Sequence, residues 1–206
     1  MGVTNSQTGL SCSPQRSAAL SPLPTSWTCS ILTNRSNLSS PLVGINVSVQ
    51  IDDLRVSGDL EAIKRLFRQY ADWLEKDHGV APETHGIDHE IANLPNPYAP
   101  PQGALFGARV DEIGYVGCIA LRSLDIKTCE IKRLFVTPDA RGQSIGEALV
   151  ERLIKAAPTL GYSEILLDVG DYQAPARALY AKCGFKEMPP KDYISYPGAV
   201  FMSRAV

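Results

Sequence analysis

The stretch TPDARGQSIGEALVERL, Thr137 to Leu153, constrains this chain more than any other. The strand-like run CEIKRLFV before it cannot continue through Pro138, which has no N–H to give a sheet ladder. Beyond it, Ile145, Leu149, Leu153 and Ile154 recur at helical spacing, so an amphipathic helix opens within a few residues. Between the two, Gly142 and Gly146 let the backbone turn tightly and approach a ligand closely. A helix start built this way leaves first-turn N–H groups without intrahelical partners. Those donors, the positive end of the helix dipole and Arg141 form a preformed anion site whose expected guest is a phosphate. The alternative is a turn whose donors meet water.

Other phosphate binders are excluded by spacing. No G-x-x-x-x-G-K-[ST] occurs, and RGQSIG lacks the G-x-G-x-x-G of dinucleotide folds. Around this unit the elements alternate. VSVQI (Val47 to Ile51) has strand character, and Asp59 to Lys76 sets Leu60, Ile63, Leu66, Phe67, Tyr70 and Leu74 on one helical stripe. GIDHEIANL predicts a short helix, stopped by the prolines of PNPYAPPQG. GALFGARV and YVGCIALR flank DEIG as a hairpin. Then come the strand SEILLDV, the helix PARALYAK with Gly184 as its left-handed cap, and the strand GAVFMSRA. Antiparallel strands early and strand–helix units late predict one mixed α/β domain.

Charge sets where that domain begins. Residues 1–51 hold no acid and only two bases, Arg16 and Arg35, while all 22 acids and 18 of the 20 bases follow. The shift puts a boundary near residue 45. Residues 1–45 read as a disordered leader that buries too little apolar surface to offset its ordering entropy, and 46–206 as the domain. The acid-free leader also suits an organelle transit peptide, MGVTNS suits myristoylation at Gly2, and Asn34, Asn37 and Asn46 head N-x-Ser sequons. A net charge of −2 supplies no field for nucleic acid, and no apolar run is long enough to span a membrane. Cys12, Cys29, Cys118, Cys129 and Cys183 are odd in number and form no C-x-x-C, so neither a disulfide framework nor a metal site is expected. Reduced thiols fit a cytoplasmic setting, with an organelle as the alternative.

LFVTPDARGQSIGEALVERLI, followed about thirty residues later by ALYAKCGF, resembles the GNAT superfamily of N-acetyltransferases. The family signature is Arg/Gln-x-x-Gly-x-Gly/Ala, and ALYxKxGF is its usual companion. The likeness runs from about Val47 to Arg204. It implies a mixed, mostly antiparallel sheet flanked by helices, an acyltransferase activity, and acetyl-coenzyme A as co-substrate. The sequence departs from the pattern twice. Ser144 stands at the first signature Gly, and Gln173 stands seven residues before Tyr180, where the family often has a cofactor-contacting Asn.

By the resemblance, the N–H groups of Arg141, Gly142, Gln143, Ser144, Ile145 and Gly146 hold the coenzyme A pyrophosphate. The pantetheine arm pairs like an added strand with Leu134, Phe135 and Val136. An acceptor alkylamine of pKa about 10.4 is neutral in only ~1 molecule in 2,500 at pH 7, so a base is needed. Glu130, four residues before Leu134 and expected on the same strand face, matches the family's frequent base; the alternative pairs it with Lys132. Tyr180, on one helical face with Gln173 and Ala176, matches an acid that meets the leaving thiolate; the alternative makes it a core aromatic. The expected acceptor is a small-molecule primary amine, walled by the first helix, THGIDHEIANLPNPYAPP and PPKDYISYPGAV. A protein Lys or N-terminus as acceptor, and a non-catalytic acyl-coenzyme A sensor, are the alternatives. An exposed edge strand leaves room for a homodimer. His85 and His89 lack the second His of H-E-x-x-H and are expected as exposed polar residues; Cys129 and Cys183 are expected as small buried hydrophobes.

Overall fold

The alternation of periods becomes a single sheet with helices on both faces. The computed structural model describes residues 26–30, 48–55, 59–81, 86–190 and 198–206. Its strands are β1 (Ser26–Ser30), β2 (Ser48–Asp53), β3 (Ala104–Val110), β4 (Gly114–Ser123), β5 (Thr128–Val136), β6 (Glu164–Gly170), β7 (Lys186–Met188) and β8 (Ala199–Ala205). The helices are α1 (Leu60–His78), α2 (Ile87–Asn93), α3 (Ile145–Ala156) and α4 (Ala174–Lys182). The strand order is β1-β2-β3-β4-β5-β6-β8-β7, and every neighbouring pair is antiparallel except β5 with β6. The expected leader lies outside the described residues apart from Ser26–Ser30, which adds an edge strand onto β2 that composition did not announce. His85 and most of PPKDYISYPGAV also lie outside them.

Local chemistry starts and stops the long helix. The Asp59 side chain accepts from the Ala62 N–H at 3.0 Å, and Gly79, at φ +65°, closes the other end in a left-handed cap. Its stripe buries Ile63, Leu66, Phe67 and Leu74, and with α2 covers one face of the sheet above Leu105, Cys118, Ala120 and Phe135. On the opposite face, Ile145, Leu149 and Leu153 of α3 and Tyr180 of α4 pack over Phe106, Ile119, Ile131 and Ile165. Each fully buried Leu, Ile or Phe contributes ~1.5–3 kcal/mol, so the two cores fix both helix pairs against the sheet.

One irregularity bears on the site. Cys118 pairs with Phe135 but Ala120 pairs with Lys132, so two residues of β5 face one of β4, and Arg133 sits at φ +58° in the resulting bulge. Alternation resets there. Glu130 and Lys132 lie opposite Arg122 and Ala120 on the α1 side, whereas Leu134 packs into the α3 core. The expectation that Glu130 and Leu134 share a face is therefore corrected: four residues is an even count in a regular strand, but the bulge inserts one.

Candidate active site

Strands β5 and β6 are paired only at Thr128–Glu164, Cys129–Ile165 and Glu130–Leu166. Beyond these residues they part, and the sheet opens. On one side of the opening the backbone edge of Leu134 to Val136 faces a groove of about 610 Å³, shared with Arg141, Gly142, Ser144, Ile145, Gly146 and Gln173. The sequence-predicted cofactor residues thus come together, with the exception of Gln143, which does not line the groove and whose Oε1 is buried without a hydrogen-bond partner.

The start of α3 fits a diphosphate. No side chain caps it, so its first-turn N–H groups are not consumed by a local acceptor. Gly142 stands at φ +76° with nothing within 4 Å of where a Cβ would be, which leaves the main chain approachable. Ser144 adopts φ +56°, ψ 13°, a left-handed conformation that Gly reaches without cost and that explains why a Gly is at home here. Its hydroxyl does not turn back as a cap. The Arg141 side chain lies elsewhere than expected: its guanidinium stacks over Trp73 and Phe135, at 5.3 and 5.9 Å from the ring centres, and its Nε donates to the Val136 carbonyl at 3.1 Å.

Several groove residues escaped the sequence reading. His78 at the end of α1 links Trp73 to Tyr172, from the loop before α4: its ring lies tilted 30° against Tyr172 at 4.3 Å and edge-on to Trp73 at 4.7 Å. They form an aromatic wall along the groove. Periodicity marks Trp73 only as a helix residue, and nothing in the sequence links it to Tyr172.

At the foot of the opening lies a chamber of about 50 Å³ bordered by Tyr70, Lys132, Arg133, Leu134, Asp168, Tyr172, Gln173, Ala176 and Tyr180. Gln173, Ala176 and Tyr180 share one face of α4, as the helical spacing predicts. The Gln173 Oε1 accepts from the Gly170 N–H at 3.1 Å, tying the β6–α4 turn together. Tyr180 is 6% exposed and packs edge-on to Phe185 at 5.7 Å. Burial drives its hydroxyl well above the usual phenol range, with Tyr70 and Asp168 adding to the effect. Tyr70, across the chamber, is pushed up to about 12 chiefly by burial. Both phenols are thus protonated donors near neutrality.

Glu130 is fully buried and is absent from the chamber wall, although its neighbours Ile131 and Lys132 belong to it. Its Oε2 accepts from Arg122 Nε at 2.7 Å, and its Oε1 lies 3.0 Å from Lys132 Nζ, close enough for an ion pair but outside hydrogen-bond geometry. Lys132 in turn reaches Asp168 Oδ1 at 2.6 Å. The strand charge pair weighed as the alternative for Glu130 is present. Below it, Arg133 is clamped to Glu90 of α2 through two hydrogen bonds of 2.8 Å.

The remaining candidates fall outside the site. His89 is exposed on α2. Cys118 and Cys129 are buried thiols pushed up to about 12 by desolvation, and Cys183 is buried beside Gly184. Among the described residues no group of three His, Cys, Asp or Glu could hold a metal ion, and no helix is long and apolar enough to cross a membrane.

Comparison with known proteins agrees with this geometry. The sheet resembles that of a Streptococcus agalactiae acetyltransferase, with a TM-score of 0.63 at 21% identity over 77% of this chain and 98% of that one. It also resembles a GNAT family acetyltransferase from Elizabethkingia anophelis solved with acetyl-coenzyme A bound, with a TM-score of 0.55 at 20% identity over 77% and 98% of the two chains. An uncharacterised N-acetyltransferase of Schizosaccharomyces pombe is 33% identical over 156 residues, 75% of this chain and 93% of that protein. Residues 63–185, the span that carries the parted strands, the uncapped α3 and the Tyr180 helix, match the acetyltransferase (GNAT) family. The chain belongs to that family, as an acyltransferase that draws its acetyl group from acetyl-coenzyme A.

Proposed function

We propose that this acyltransferase moves the acetyl group directly to a primary amine of a small molecule. The observation that carries the reading is that Leu134, Gln173 and Ala176 border both the cofactor groove and the chamber, so the two are continuous through the opening between β5 and β6. When bound, acetyl-coenzyme A supplies an electrophilic thioester carbonyl and a sulfur leaving group. The N–H groups of the turn and the start of α3, from Gly142 to Gly146, hold the diphosphate, whereas the Arg141 N–H expected among them is already donated to the Pro138 carbonyl at 3.2 Å; the edge of Leu134 to Val136 pairs with the pantetheine amides. The Val136 carbonyl that Arg141 Nε holds has a second lone pair for a pantetheine amide, so Arg141 supports that strand edge while its charge stays beside the anion site.

Tyr180 acts as the acid. Its hydroxyl, protonated and buried, donates to the sulfur as the thioester breaks. Burial raises thiols as well as phenols, as Cys118 shows, so the transfer stays slightly uphill and the hydroxyl contributes chiefly as a hydrogen-bond donor to the sulfur in the transition state. Glu130 serves to hold Lys132 in place rather than to face the acceptor.

The small size and enclosure of the chamber favour a small-molecule acceptor over a protein Lys or N-terminus. Acetyl-coenzyme A binding by calorimetry, combined with thiol release over a panel of small amines, tests the reading. Turnover with at least one amine is expected; binding without thiol release from any of them would favour the sensor alternative.

A further inference from the structure

The chamber contains a carboxylate to which the resemblance assigns nothing. Asp168 lies on β6 past Leu166, where that strand has already parted from β5, and its side chain, 14% exposed, borders the chamber beside Tyr70, Tyr172 and Tyr180. Lys132 reaches it across the gap while also lying against Glu130. One ammonium group is therefore shared by two carboxylates. Glu130 is sealed within the sheet and held by Arg122, whereas Asp168 opens onto the chamber.

A primary alkylammonium ion carries the same charge and the same three N–H donors as Lys132 Nζ. It can replace Lys132 on Asp168, while Lys132 keeps Glu130. The surrounding tyrosine rings offer a cation apolar and π surface. The charge of Asp168 also reaches all three hydroxyls, raising the pKa of each.

We propose that Asp168 binds the acceptor as its ammonium ion, displacing Lys132, and takes the proton that must leave before the nitrogen can attack. The proposal rests on the transferase reading above. One N–H bond breaks as an O–H bond forms on Asp168. The electron pair left on nitrogen makes the C–N bond to the acetyl carbonyl carbon, and the C–S bond breaks with its electrons on sulfur. Sulfur takes the Tyr180 proton, the second nitrogen proton restores Tyr180 as the amide forms, and the proton on Asp168 passes to water.

The test compares wild type with Asp168→Asn, which keeps the shape and leaves Lys132 on Glu130. Two acceptors are used: the fastest of a series of linear alkylamines, which are cations near neutrality, and methoxyamine, whose electron-poor nitrogen is uncharged there. Acetyl-coenzyme A binding is measured in parallel by calorimetry. Unchanged cofactor binding is expected, with kcat/KM for the alkylamine falling about 30-fold, KM included, and a change of less than about threefold for methoxyamine. Equal losses on both acceptors, or no loss on the alkylamine, overturn the role of Asp168 and leave the transferase standing. Wild type that binds acetyl-coenzyme A but acetylates neither amine overturns the transferase reading, and this proposal with it.

Discussion

Replacing Glu90 by Gln tests what holds the bulge of β5 in place. Glu90 accepts from Arg133 Nε and Nη2, each at 2.8 Å, and from the Tyr98 hydroxyl at 2.6 Å, with the two charged side chains 11% and 5% exposed. Arg133 is the bulge residue itself, so the pair ties α2 to the strand segment that carries Leu134 to Val136. Gln keeps the shape and one acceptor oxygen but removes the charge, leaving a guanidinium almost dry. Breaking a buried pair from one side costs ~3–5 kcal/mol, and the retained oxygen puts this case near ~3, against a typical total of 5–15 kcal/mol. The variant should fold. With a urea slope of ~2 kcal/mol/M, its midpoint should drop by about 1.5 M, read by circular dichroism. Removing both charges, with Arg133→Met added, should cost less than the two single changes together, giving a coupling of at least ~2 kcal/mol. Acid sensitivity provides a second readout. Burial pulls Glu90 upward, but the hydrogen bonds and charge of Arg133, helped by Tyr98, outweigh it and hold the carboxyl below its ordinary range. A folded value below the unfolded one means that this stabilisation is fully present above ~4.3 and is lost as pH falls through the folded value, a loss that should shrink in the Gln variant. A midpoint within ~0.5 M of wild type, or a double variant as weak as the summed singles, would refute the account.

Three further outcomes are expected. Tyr180→Phe should lower kcat by ~10²-fold or more in steady-state thiol release while leaving the apparent affinity for acetyl-coenzyme A unchanged; full turnover would remove the acid role. Glu130→Gln should leave the shape of the pH–rate profile unaltered, because the carboxylate is turned away from the chamber, yet lower the melting temperature by loosening Arg122 and Lys132. At the start of α3, Gly142→Ala should destabilise by ~1–2 kcal/mol through its positive φ alone, since the space around it is open, whereas Ser144→Gly should be neutral to stabilising; equal effects of the two on urea unfolding would contradict the backbone argument.

What could be read from the sequence is what depends on neighbours in the chain. Pro138, the two glycines and the 3.6-residue stripe of Ile145, Leu149 and Leu153 set the strand–turn–helix unit and its uncapped start, because backbone sterics and hydrogen-bond supply act over a few residues. The i, i+3, i+7 spacing put Gln173, Ala176 and Tyr180 on one face for the same reason. Tertiary structure decided the rest. The bulge at Arg133 moved Glu130 and Leu134 to opposite faces, and it exists because a partner strand and the buried Glu90 clamp impose a conformation that β-strand alternation does not contain. Where β5 and β6 part, the sheet is perforated, so Tyr70 from a helix on one face and Tyr180 from a helix on the other border one chamber, with Asp168 between them. No periodicity records that meeting: these residues are far apart along the chain, and what joins them is the packing of α1 and α4 against a sheet that opens at this point.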